Sequence, residues 1–119
     1  MVDKRVLKVV HGAPTEVVTE QVSVQRVGDR GGAEHLLANV WTVNEGSLVR
    51  HTHRTQEELY MVLEGTAQLE VDGTTYKLGE RDTIVVPAGI AHQLSNIGLG
   101  PLTYLAVAAP AAEDEVVVD

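Results

Sequence analysis

The chain has 119 residues, of which 17 are acidic and 9 are basic, and its formal net charge at pH 7 is −8. This length fits one domain, so we expect residues 1–119 to form a single domain. The acidic excess repels the phosphate backbone of nucleic acids and the surface of anionic membranes, which argues against both as partners. The absence of cysteine and of any apolar run long enough for a signal peptide or a transmembrane helix predicts a cytoplasmic protein without disulfides.

Short valine-rich runs dominate the N-terminal part of the chain. Residues 4–10 and 21–27 are predicted as strands, and the Gly-Ala-Pro stretch between them as a turn. Residues 28–34 contain three glycines and one aspartate, which is typical of a loop. A further strand is predicted within residues 35–43, where leucine, asparagine, tryptophan and valine alternate on one face.

The sharpest alternation of side chains lies in residues 49–53. Successive side chains of a strand point to opposite faces, so His51 and His53 should converge on one point. From Glu58 the alternation continues, with one polar and one apolar face. The first face carries Glu58, Tyr60 and Val62, and the second carries Leu59, Met61 and Leu63. The apolar face needs cover, either from a second sheet or from another copy of the chain.

The C-terminal half of the chain contains five more predicted strands. Residues 67–71 and 75–78 flank Asp72-Gly73, a strong signal for a β-hairpin. The other predicted strands are residues 83–86, 91–95 and 102–109. About ten short strands without helical spacing predict an all-β protein, either a closed barrel or a jelly roll.

Two stretches of the sequence contain histidines and a glutamate at short spacing, together with glycines and a proline that favour turns. Residues 46–65 contain His51-x-His53, then Glu58, and end on Gly65. Residues 79–96 contain Pro87-x-Gly89, followed by His92 and Asn96. Together these stretches resemble the two motifs of the cupin family, which run Gly, His-x-His, Glu, Gly and then Gly, Pro-x-Gly, His, Asn. The resemblance implies a jelly-roll barrel of the cupin type, that is, a double-stranded β-helix.

The resemblance also assigns a metal site. His51, His53, Glu58 and His92 fall on the four metal-ligand positions of the cupin motifs. Glu57 is the competing carboxylate, but strand alternation places it on the face opposite Tyr60. Nitrogen and oxygen donors suit a divalent transition metal, and we expect one ion of Fe, Mn, Ni, Cu or Zn with one or two coordination positions left open.

Two positions depart from the cupin pattern. Gly46 lies one residue closer to His51 than is usual, which concerns only a loop. Arg81 stands where the second motif normally has glycine, and arginine adopts a positive φ only at a cost in free energy. We expect Gly79 to have taken over that turn.

A small and mostly apolar pocket is expected beside the metal site. Its predicted lining is Val49, Tyr60, Val62, Leu94 and Tyr104, although Tyr60 also fits a core position with a satisfied hydroxyl group. Such a pocket suits a compact organic molecule that has one or two oxygens for the metal.

The leading hypothesis for function is an oxygen-using oxidoreductase of the dioxygenase kind, which rests on the resemblance to cupins and on four ligands that come without an obvious additional base. No catalytic residue is assigned. The alternatives are an isomerase, cyclase or lyase that uses the metal as a Lewis acid, a non-catalytic module that binds a small molecule, and a barrel that the metal only stabilises. Cupins of this kind are commonly dimers, so we expect a homodimer.

The acidic tail, residues 110–119, has two interpretations. A flexible, solvated terminus is favoured, since chain ends usually fray. The alternative is an edge strand at residues 116–118.

Overall fold

The computed structural model describes residues 7–118, which form twelve β-strands and one short helix. The strands are β1 (Glu16–Val17), β2 (Val22–Gln25), β3 (Leu37–Val43), β4 (Gly46–Ser47), β5 (His51–His53), β6 (Glu57–Glu64), β7 (Ala67–Val71), β8 (Thr74–Leu78), β9 (Thr83–Val86), β10 (His92–Asn96), β11 (Leu102–Ala109) and β12 (Glu115–Val117). The helix, α1 (Val27–Arg30), lies within the predicted loop.

The strands form two antiparallel sheets. The first has the order β1-β2-β3-β11-β6-β9, and the second has the order β12-β5-β10-β7-β8, with β4 paired to β10. The predicted all-β jelly-roll fold is therefore confirmed. No helix within residues 7–118 has both the length and the apolar character needed to cross a membrane.

The core lies between the sheets and follows the alternation of the strands. Every second residue of β11 is buried, from Leu102 to Ala108, and β7 and β10 show the same period of two. The apolar core joins residues of both sheets, such as Val43 and Leu102 from the first and Leu69 and Leu94 from the second. This alternation explains why the predicted bounds of β7 and β11 agree with the structure.

The β7–β8 hairpin forms where the sequence predicts it. Asp72 and Gly73 connect the strands, and their φ angles are 48° and 82°. Two successive residues with positive φ are the requirement of a type I′ turn, whose twist matches that of the strands.

The turn before β9 differs from the expectation. Gly79 does not take over the positive φ, because Arg81 itself has a φ of 72°. The turn is held in place by three hydrogen bonds: the Arg81 amide donates to the Val62 carbonyl at 2.8 Å, the Gly79 amide donates to Asp82 Oδ2 at 2.7 Å, and the Asp82 amide donates to the Gly79 carbonyl at 3.0 Å. These bonds stabilise a conformation that arginine does not favour.

The N-terminal prediction is wrong for residues 7–10, which form no strand, while residues 4–6 lie outside the described part of the chain. The first strand of the described residues is β1, which lies between the Gly-Ala-Pro stretch and the second predicted strand. It pairs with β2, placing Glu16 opposite Val24. A strand of two residues is too short to show alternation in the sequence. This is true of both β1 and β4, so the sequence predicts fewer strands than the structure has.

The C-terminal tail is also ordered differently from the favoured prediction. Glu115–Val117 form β12, an edge strand that pairs with β5. Two hydrogen bonds hold this segment in place. The Gln56 side chain donates to the Pro110 carbonyl at 2.9 Å, and the Val118 amide donates to the Arg50 carbonyl at 3.0 Å.

Candidate metal centre

The structure brings together the four side chains that the sequence singles out. One donor atom from each of His51, His53, Glu58 and His92 lies within 4.8 Å of the others, and the group could hold a metal ion. These residues come from β5, β6 and β10, so both sheets contribute.

Strand geometry explains how these side chains meet. His51 and His53 are two residues apart in β5 and therefore share a face. His92 of β10 pairs directly with His51 across the second sheet. Glu58 points inward from β6 and is 8% exposed, whereas Glu57 is exposed on the outer side, as the alternation predicts.

The carboxylate of Glu58 lies at the centre of the cluster. Its Oε1 atom is 2.9 Å from His53 Nε2, 3.0 Å from His92 Nε2 and 3.6 Å from His51 Nε2. The three Nε2 atoms thus converge on one oxygen. This is the arrangement expected of donor atoms that bind one metal ion.

The opposite nitrogen of each ring is tied to an oxygen that can only accept a hydrogen bond. His51 Nδ1 donates to the Val49 carbonyl at 3.0 Å, and His92 Nδ1 donates to the Ile90 carbonyl at 2.9 Å. His53 Nδ1 lies 3.1 Å from Asp114 Oδ1. With the proton of the neutral imidazole on Nδ1, the lone pair of Nε2 faces the cluster and can bind a metal, whereas a second proton on Nε2 would let the ring donate to Glu58 Oε1.

The charges of the cluster shift two pKa values in opposite directions. Burial alone would raise the pKa of Glu58, but hydrogen bonds with His51 and His92 outweigh it and hold that pKa well below its usual range. Burial also lowers the pKa of His51, but the hydrogen bond to Glu58 and the contact with Val49 leave it above the ordinary value of 6.5. The protein therefore favours an ionised Glu58 carboxylate, and that carboxylate in turn favours the protonated form of His51.

Tyr60 lies against the same group. Its hydroxyl donates to Glu58 Oε1 at 3.0 Å and is 3.0 Å from His92 Nε2. Burial raises the pKa of Tyr60 well above its ordinary value, so the hydroxyl keeps its proton. The residue is a core tyrosine with a satisfied hydroxyl, and it also lines the cavity described next.

A cavity of about 950 Å³ opens beside the four donors. Among the predicted pocket residues, Val49, Tyr60, Leu94 and Tyr104 line it. Val49 lies just before β5 and is 60% exposed, so it sits at the rim. The prediction for Val62 is wrong, because Val62 is 1% exposed and packs in the apolar core.

Two acidic residues of the tail belong to this site, although sequence analysis assigned them no role. Asp114 contacts His53, and Glu115 Oε1 lies 3.6 Å from His51 Nε2. Both line the cavity. The acidic character of the tail was visible in the sequence, but only the pairing of β12 with β5 places it beside the histidines.

The chemistry of the donors fits a divalent transition metal. His53 Nε2 is buried without a hydrogen-bond partner among the described residues, even though Glu58 Oε1 is 2.9 Å away. A buried, unpaired nitrogen costs free energy unless a partner such as a metal ion satisfies it. Three imidazole nitrogens and one carboxylate oxygen match the preferences of Fe, Mn, Ni, Cu and Zn.

A family model described as a cupin domain matches residues 39–108, which include all four donors. The chain belongs to the cupin family.

Individual relatives extend this comparison. Uncharacterized protein MJ1618 of Methanocaldococcus jannaschii is 32% identical over 79 residues, which are 66% of this cupin and 63% of that protein. The chain therefore spans less than two thirds of this relative's length.

Solved structures agree on the fold. A sugar phosphate isomerase of the cupin superfamily from Silicibacter pomeroyi is 27% identical, with a TM-score of 0.76 over 90% of this chain and 76% of that one. The polyketide cyclase RemF from Streptomyces resistomycificus has a TM-score of 0.81 over 95% of this chain and 86% of that one. Its identity is 24%, so this likeness concerns the fold alone.

Proposed function

We propose that this cupin is a metal-dependent enzyme that moves protons on a small oxygen-bearing molecule, as an isomerase, cyclase or lyase does. The observation that carries the proposal is the convergence of His51, His53, Glu58 and His92, of which the first three line a cavity of about 950 Å³ and His92 is buried behind them. These four residues would hold the ion. When bound, a divalent ion supplies Lewis-acid polarisation of a carbonyl or hydroxyl oxygen.

The residues around the donors supply groups for proton transfer. The Tyr60 hydroxyl lines the cavity and donates its single proton to Glu58 Oε1 at 3.0 Å; once Glu58 binds the ion, that hydrogen bond can turn to a substrate oxygen. Glu115 is 57% exposed at its side chain and faces the cavity beside His51, where its carboxylate can accept a proton. A donor and an acceptor on one cavity suit isomerisation or elimination.

These neighbouring groups bear on the choice between reaction classes. The dioxygenase hypothesis rests on the resemblance to cupins and on the lack of an obvious additional base beside the ligands. Glu115 and Tyr60 lie next to the four donors, so the second of these two reasons no longer supports it. The sugar phosphate isomerase among the relatives adds support for a reaction without oxygen, whereas none of the relatives named above is called an oxygenase.

The apolar lining sets the kind of substrate. Trp41, Leu94 and Tyr104 line the cavity together with Ala106 and Ala108. A largely apolar cavity with a few convergent polar groups suits a compact organic molecule with a hydroxyl or carbonyl group near the ion.

The test begins with elemental analysis of protein purified without an affinity tag. The protein, reloaded with each candidate metal, is then incubated with hydroxy-carbonyl compounds in D₂O under air. We expect about one ion per chain and deuterium incorporation beside the carbonyl without oxygen consumption. Substrate-dependent oxygen uptake would instead establish the oxidoreductase, and absence of any metal would favour the non-catalytic binding module.

We further propose that two chains form a homodimer through the outer face of the first sheet. Leu59 of β6 lies between Val85 of β9 and Val107 of β11, and Leu59, Leu63 and Val85 are 36%, 39% and 53% exposed. A second copy would cover these apolar side chains. Light scattering should give twice the chain mass for the wild type and the single-chain mass for Val85→Glu, and a monomeric wild type would contradict the proposal.

A further inference from the structure

The C-terminal strand lies against the strand that carries two of the four donors. β12 pairs antiparallel with β5, so that Glu115 is opposite His53 and Val117 is opposite His51. Just before β12, Asp114 Oδ1 lies 3.1 Å from His53 Nδ1. This segment follows residues 39–108, the part of the chain that the cupin model matches. The contact is therefore an addition to the shared motifs.

Asp114 is itself held firmly on its other oxygen. Its Oδ2 atom accepts hydrogen bonds from the Thr55 amide and the Thr55 hydroxyl, both at 2.6 Å, and from the Gln56 amide at 3.2 Å. The side chains of Asp114 and His53 are only 12% and 11% exposed. With one oxygen fixed by three donors, the carboxylate cannot rotate freely, and the direction of Oδ1 towards the imidazole is set.

His53 depends on this distant contact in a way that the other two histidines do not. The Nδ1 atoms of His51 and His92 donate to carbonyls two residues away, those of Val49 and Ile90, so the local chain orients these rings. The partner of His53 is 61 residues away in the sequence. The ring that presents the unpaired, buried Nε2 atom is thus oriented by the C-terminal segment.

We propose that Asp114 is a positioning residue for metal binding: it keeps the proton of His53 on Nδ1 and points Nε2 at the shared site. This inference rests on the proposed function only in that the four donors bind a metal. Because coupling between two binding events is reciprocal, docking of β12 strengthens metal binding, and the metal in turn stabilises the docked strand.

The first test compares two variants that lose the same charge. Asp114→Asn keeps the shape of the side chain but has one acceptor oxygen in place of two, so either His53 or the Thr55–Gln56 segment loses its acceptor. Glu113→Gln is the matched control, since Glu113 is exposed, adjacent and also at the cavity. Dissociation constants for Zn²⁺ and Co²⁺ are measured by competition with a chelator.

We expect Asp114→Asn to weaken metal binding by about 10- to 100-fold, the usual effect of losing a carboxylate behind a histidine ligand. The visible absorption of bound Co²⁺ should change in this variant, because His53 no longer holds its direction. Glu113→Gln should leave the spectrum as in the wild type. The proposal is overturned if both variants bind metal with equal affinity and give the wild-type Co²⁺ spectrum.

A second test needs no variant, so it stands even if Asp114→Asn does not fold. Hydrogen exchange of the wild type is followed with and without Zn²⁺ at the amides of Thr55, Gln56 and Val118, which the C-terminal segment protects. Reciprocity predicts that Zn²⁺ slows exchange at these three amides by a factor similar to the loss of affinity in Asp114→Asn. The slowing should be greater than in the β7–β8 hairpin. Equal effects at both places would refute the coupling.

The outcomes separate this inference from the proposed function. If the wild type binds neither Zn²⁺ nor Co²⁺, both proposals fail. If the wild type binds metal and Asp114→Asn behaves as Glu113→Gln does, only the role of Asp114 fails.

Discussion

The two halves of strand β6 differ in what their inward side chains face. Near the start of the strand, Glu58 and Tyr60 border the cavity, whereas further along Val62 packs in the apolar core. The residues opposite them on β11 differ in size. Ala108 pairs with Glu58 and Ala106 with Tyr60, but Tyr104 pairs with Val62.

This difference separates the open end of the molecule, at Glu58 and Tyr60, from the closed end, at Val62 and Leu102. Alanine side chains at the open end leave space that no neighbour fills, and both of them line the cavity. At the closed end, Leu102 is fully buried. The same hydrogen-bonded strands build both ends, so side-chain volume decides where a site can form.

The largest effect is expected from removing donors at the open end. The double variant His51→Ala, His92→Ala should lose metal, from about one ion per chain to almost none, because two of three imidazoles are gone. The fold should persist, since the closed end is untouched. Elemental analysis checks this, with the exposed pair His11→Ala, His35→Ala as the control. Stoichiometric metal in the first variant would show that the ligand assignment is wrong.

A cavity at the closed end should affect stability and leave metal binding alone. Leu102 is 0% exposed, and Leu102→Ala should lower the free energy of unfolding by about 3 kcal/mol in urea denaturation. Val17 is 81% exposed, so Val17→Ala should change it by less than about 0.5 kcal/mol. If Leu102→Ala also weakened Zn²⁺ binding of the folded protein, the two ends would not be independent.

A larger side chain in the cavity at the open end should lower activity and leave metal binding unchanged. Ala106→Leu adds volume to the cavity beside Tyr60 without removing a donor, so activity should fall by more than about tenfold while the Zn²⁺ dissociation constant stays the same. Ala109→Leu is the control, because Ala109 is on the opposite side of β11 and does not line the cavity. Full activity in Ala106→Leu would mean that substrate binds elsewhere.

The pH dependence should distinguish the metal-free from the metal-bound open end. Without metal, the raised pKa of His51 contributes stability that is complete below pH 6.5 and is lost as the pH rises through that raised pKa. The lowered pKa of Glu58 contributes stability above pH 4.5 that is lost as the pH falls through the lowered value.

Metal binding reverses the first trend, because His51 must release its proton to bind the ion. The increase in Tm caused by Zn²⁺ should therefore be small near pH 5.5 and larger near pH 7.5. Thermal unfolding with and without Zn²⁺ measures this difference. An increase in Tm that is the same at both pH values would contradict the involvement of His51.

The smallest effect is expected at the turn that packs on the closed end. Glycine accepts the φ of 72° at Arg81 without the steric cost of about 1–2 kcal/mol, although its greater freedom in the unfolded chain cancels part of the gain. Arg81→Gly should raise the free energy of unfolding by up to about 1 kcal/mol. Arg81→Ala keeps the steric cost and should give no gain, so equal stability of the two variants would argue against strain at this turn.

Much of the fold followed from the alternation of apolar residues. The bounds of β7 and β11, the Asp72-Gly73 hairpin and the choice of Glu58 over Glu57 were all predicted, because each depends on neighbours within a few residues. The site was harder to predict. Strand alternation predicts Val62 in the pocket because it shares a face with Tyr60. Along that face, however, Tyr60 borders the cavity and Val62 packs in the apolar core.

The sequence by itself determined the all-β fold and the four candidate donors, since strand periodicity and short motifs are local properties. Only the tertiary structure decided where the cavity lies and that the acidic tail pairs with β5. Asp114 and His53 are 61 residues apart, and no periodicity links them. Their contact arises because antiparallel pairing joins strands regardless of their separation in the chain.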